Sequence, residues 1–243
     1  MMRTSNPMLK EQAFAQSIPG TETMTLQGTV NKSVIMLALV VMAAGWTWNL
    51  FYNQGPAVVM PWMMTGLIGG LIVALVTIFK ASWAPATAPA YAILEGLALG
   101  GISAIFELRF PGIVIQAVGL TFGTLFALLI AYKSGVIKAT ENFRLGIVAA
   151  TGGIALVYLV GFVGSFFGWQ IPLIHESGLV GILFSLFVVV IAALNLVLDF
   201  DFIERGHGVA PKYMEWYGAF GLLVTLIWLY LELLRLLSKL RDR

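Results

Sequence analysis

Two aspartates, Asp199 and Asp201, follow a stretch from residue 177 to 198 that contains no charged residue, in the pattern LDFD. Carboxylates at the edge of a run long enough to cross a bilayer are expensive, and such groups by default mark ion or proton sites. Glu95 lies inside a second apolar run, 88–107, and Glu232 inside a third near the C-terminus. Carboxylates offer calcium the hard oxygen ligands it prefers, and they can also hold or release a proton. Covalent chemistry has less to work with. The chain has no cysteine, which excludes thiol catalysis, thiolate metal sites and disulfides. Both histidines, His175 and His207, are predicted in loops, away from the intramembrane serines Ser103 and Ser185. A serine protease built on a Ser–His pair is therefore not expected. Neither enzymic activity nor a resident cofactor is expected.

The elements that must hold these groups are membrane helices. Of 243 residues, 59% are hydrophobic and 11% charged, and the mean hydropathy is +0.92. Soluble domains carry about 45–50% apolar and about 25% charged residues. A net charge of +2, dispersed along the chain, does not suggest a nucleic-acid partner. No residue between Lys32 and Lys80 is charged, and NQGP at 53–56 is a turn signal that divides this stretch in two. Seven spans are predicted, near 33–52, 57–79, 88–107, 112–132, 145–168, 179–200 and 213–237. The fold class is an all-α polytopic bundle. Residues 1–32 are expected to form a polar, partly disordered tail, leaving 33–243 as the transmembrane domain. The tail lacks the apolar core of a signal peptide.

Lys and Arg in short loops set orientation. With the N-terminus inside, nine basic residues up to Lys212 fall on the inner side, whereas Arg109, Lys239, Arg241 and Arg243 fall outside. This favours a cytoplasmic N-terminus but strands a basic C-terminal tail outside. A re-entrant last helix or a centrally packed one would each account for it. Glycines such as Gly66, Gly96 and Gly100 are read as close helix-packing sites. Trp62, Trp83, Trp169, Trp216 and Tyr217 are read as interfacial anchors.

Asp199 and Asp201 are expected at, or just beyond, the end of span six. Glu95 should lie about 10 Å along its helix, at a depth similar to that of Asp199, so the two could share a proton or bind a cation between them. Pairing of Glu95 with an inner-loop lysine such as Lys80 is the plainer alternative. Arg235, three residues after Glu232, offers it an intrahelical ion pair. Glu215 and Glu107, at span edges, are expected to be solvated.

Several segments together resemble the Bax inhibitor-1, or transmembrane Bax-inhibitor-motif, family. LDFDFI at 198–203 is similar to that family's Asp-x-x-x-Ile stretch, GLALGG at 96–101 to its third helix, and KATENF at 138–143 to the loop between helices four and five. NPMLKEQAF near the N-terminus and the last apolar helix suggest a bacterial branch. The resemblance implies seven helices with the last one central, and a calcium leak governed by pH. It also implies a pair of aspartates, one on each of the last two helices, the first of which matches Asp199. For the second, a local register on LYLE gives Glu232, and a whole-helix register gives Thr225. Thr225 is preferred because Glu232 is too far along the helix from Asp199. With threonine there, Glu95 or Asp201 would have to partner Asp199. Lys80 matches a basic residue that can latch the pair.

The expected function is a pH-sensitive calcium leak in a bacterial plasma membrane, gated by intramembrane carboxylates, with Asp199 and Glu95 as calcium ligands. The expected partners are the lipid bilayer, calcium and protons. Two alternatives stand beside it: a proton-coupled transporter of a small solute, and a non-conducting regulator bound to another membrane protein.

Overall fold

The computed structural model describes residues 22–168 and 178–242. The expected tail up to residue 21, Trp169, His175 and Arg243 lie outside the described residues. Among those described, seven α-helices are long and apolar enough to cross a membrane. They are α1 (Leu26–Gln54), α2 (Pro56–Phe79), α3 (Ala84–Arg109), α4 (Ile113–Lys133), α5 (Glu141–Phe166), α6 (Leu179–Gly206) and α7 (Met214–Arg241). In α2, Leu67, Ile68, Leu71 and Ile72 are all exposed, a face that lipid covers at no cost. The last helix is the most enclosed. Of its most apolar stretch 61% is buried, against 11% in α5.

The chain divides into two compact units. The first holds the residues up to Arg109 with Asp201–Val224, and the second holds Phe110–Phe200 with the chain from Thr225 on. Within the first, α3 packs against both α1 and α2. A Cβ on Gly100 would sit 2.1 Å from the Ala44 carbonyl oxygen, and one on Gly66 2.4 Å from that of Leu94. Those obstacles are backbone, which cannot swing aside, so glycine is what lets these helices approach.

The first unit also contains an ionic corner where solvated acids were expected. Met24 is fully buried, and its N–H donates to the Ala210 carbonyl at 2.8 Å while its own carbonyl accepts from Gly208 at 2.9 Å. Thr25 caps α1, its hydroxyl oxygen accepting from the Gly28 N–H at 3.0 Å. Glu215 is fully buried beside it. It accepts from the Thr25 N–H at 3.0 Å, the Thr25 hydroxyl at 2.8 Å and Lys32, with Lys212 at 3.3 Å. The expectation of a solvated Glu215 is therefore wrong, because four donors brought from both ends of the unit replace water. The first helix likewise starts at Leu26 rather than near residue 33, carrying Lys32 to that carboxylate. Tyr217 is also no interfacial anchor: it is buried between Phe202 and Phe220.

In the second unit, Ile147 and Ile154 of α5 and Val188 and Ile191 of α6 form a core against which Trp228 of α7 packs. This places three helices around the groups that could carry ions.

Candidate functional site

Asp199 does not end its helix. α6 continues to Gly206, because Arg205 bridges back to Asp201 at 3.2 Å, four residues earlier, offsetting the charge that reads in sequence as a helix terminus. Asp201 is two residues from Asp199, about 200° around the helix, and so lies on nearly the opposite face. It is not a partner for Asp199.

The partner is Thr225. Its hydroxyl, on α7, donates to the Asp199 carboxylate, and Thr225 itself is buried. The second carboxylate oxygen, Oδ2, is enclosed and has no hydrogen-bond partner. A buried carboxylate oxygen without a donor is costly, since the water it has lost is not replaced. A proton or a cation would supply what is missing. The whole-helix register thus finds the residue that faces Asp199, and the facing group is one hydroxyl rather than a second acid.

Glu95 belongs to the first unit and Asp199 to the second, and each has its hydrogen-bond partner within its own unit. Glu95 is half-buried and accepts from Tyr91, one helical turn before it. The alternative of pairing with Lys80 is not realised: Lys80 is exposed and lies over the Trp83 ring, 4.3 Å from its centre. An ammonium over an aromatic face is attracted by the ring's π-electrons.

Glu232 does pair with Arg235, at 2.9 Å, but sequence reasoning missed its other donors. The Tyr158 hydroxyl on α5 donates to it at 2.9 Å and the Trp228 indole N–H at 3.3 Å. Tyr158 stands 74 residues away, beyond the reach of any spacing rule. Thr225 and Glu232 are seven residues apart on α7, about 10 Å, which agrees with separating Glu232 from Asp199.

A family model described as Bax inhibitor 1 like matches residues 6–242. The chain belongs to this family. No curated protein and no solved structure matches it. Membership in the Bax inhibitor 1 like family and seven apolar helices make it a multi-pass integral membrane protein.

Proposed function

We propose that this Bax inhibitor 1 like protein is a leak pathway for cations, calcium foremost, in which the protonation state of Asp199 sets the open fraction. The supporting observation is the Asp199–Thr225 contact between the last two helices, with one carboxylate oxygen enclosed and unserved. Protonated, Asp199 is neutral and has no charge with which to attract a cation. Ionised, it draws a cation to the one oxygen that lacks a donor. Flux should therefore rise with pH as Asp199 loses its proton. Among the described residues no three acidic, histidine or cysteine side chains converge. Calcium takes six to eight oxygens when held tightly, so such a sparse site suits an ion in passage. In this reading the membrane is a bacterial plasma membrane and the N-terminus is cytoplasmic.

The test is calcium entry into dye-loaded liposomes containing the purified protein, at several pH values. Wild type should show flux that increases with pH, and Asp199→Asn should flatten that dependence. Flux whose pH profile survives the substitution would refute the sensor. Saturable uptake of a small solute instead of a leak would move the same carboxylate to the transporter reading.

A further inference from the structure

The polar groups of the second unit continue well past Asp199. Asn195, one turn before it on α6, donates to the Thr151 hydroxyl of α5 at 2.8 Å. Further along, Tyr158 of α5 meets Glu232 of α7, and Lys239 donates to the Gly181 carbonyl of α6 at 3.0 Å. Residue numbers fall along α6 as they rise along α7, so the two helices run antiparallel and these contacts form successive rungs. From Thr225 to Lys239 the series covers about 21 Å of α7, a large part of a hydrocarbon core of about 30 Å. A second orphan lies on it. The Ser185 hydroxyl, in a residue 1% exposed, has no hydrogen-bond partner. Ser185 is fourteen residues from Asp199, close to four full turns, and so shares its face of α6. Two buried polar atoms without protein partners, on one face of α6, are unusual among apolar membrane helices.

Glu232 stands within this file, and it is 2% exposed. Both its oxygens are held by Nη1 of Arg235, each at 2.9 Å. The same nitrogen donates to the Tyr158 hydroxyl at 2.6 Å, and the guanidinium lies 5.1 Å from the centre of the Tyr158 ring. We propose that Glu232 is a second station for a divalent cation on the file, and that Arg235 is a tethered cation occupying it. The guanidinium fills the oxygens that a passing ion would need, so it competes with that ion and keeps the resting leak low. The Glu232 carboxylate and the Tyr158 hydroxyl beside it supply hard oxygens of the kind calcium prefers once Arg235 is absent. This inference rests on the leak reading of Asp199 and assigns the file a second, separately testable residue pair.

The experiment is calcium flux into liposomes, with calcium alone as the probe, for wild type, Arg235→Gln, Arg235→Lys and Glu232→Gln/Arg235→Gln. Arg235→Gln should raise the initial flux several-fold. Arg235→Lys, which keeps a tethered charge, should stay near wild type. The double variant should fall back to the wild-type level or below, because the vacated carboxylate is gone. Arg235→Met serves in place of Arg235→Gln if the latter is not recovered folded. Unchanged flux in Arg235→Gln, with wild-type pH dependence intact, overturns the second station and leaves the Asp199 reading standing. Equal gains in the single and double variants overturn it too, since Arg235 would then be a plug and Glu232 no station. No flux from any variant refutes both readings.

Discussion

Glu215, fully buried, and Asp199, half-buried with one carboxylate oxygen enclosed, each stand beside a threonine, and their surroundings treat them in opposite ways. Glu215 receives two hydrogen bonds from Thr25 and two lysine ammonium groups. Asp199 receives one hydroxyl, and its other oxygen has no partner. Between these two acids the count of donors makes the difference: Glu215, held by two lysines, is fixed in charge and place, and Asp199, left short, is poised to exchange a proton or an ion.

Breaking the saturated side should cost the most. Glu215→Ala leaves Lys32 without its carboxylate and Lys212 with only the exposed Glu22, 3.6 Å away, and removing one member of a buried pair costs about 3–5 kcal/mol. Lys212 is 45% exposed and Lys32 20% exposed, so the lower end of that range is expected. Thermal unfolding in detergent should show a large fall in Tm. Gly28→Ala tests the same corner more gently. Its Cβ would sit 2.1 Å from Glu215 Oε1, and overpacking of this kind costs about 1–3 kcal/mol. The same melting assay reads it, and an unchanged Tm would mean that the corner is loose. The smallest effect belongs to the unsaturated side. Asp199→Asn removes a charge that its surroundings barely serve, so Tm should hold or rise slightly. A fall as large as that of Glu215→Ala would erase the contrast.

What the sequence reveals of this contrast follows its range. Apolar runs of membrane length mark the spans directly, and all seven lie close to the observed helices. The whole-helix register on α7 finds Thr225, since a register needs only local periodicity. Errors arise where a charge is cancelled from far away. Residues 26–32 look like tail because they are polar and end in Lys32, whose partner is 183 positions on. The helix around Asp201 looks finished because its acids seem exposed, although Arg205 answers one of them. Lys212, three residues before Glu215, was the visible clue to the corner, but it does not reveal that Lys32 and Thr25 complete it.

The long separation between Lys32 and Glu215 also bears on how the protein is made. At about 5–20 residues per second, the ribosome needs about 10–40 s to deliver Glu215 after Lys32 has emerged. During that interval α1, α2 and α3 can already pack through their glycines, yet the ammonium of Lys32 has no counter-charge. The first unit is thus completed only as the last helix enters the bilayer. Nascent chains halted before residue 215 should be the ones that the cell's quality-control proteases recognise and clear.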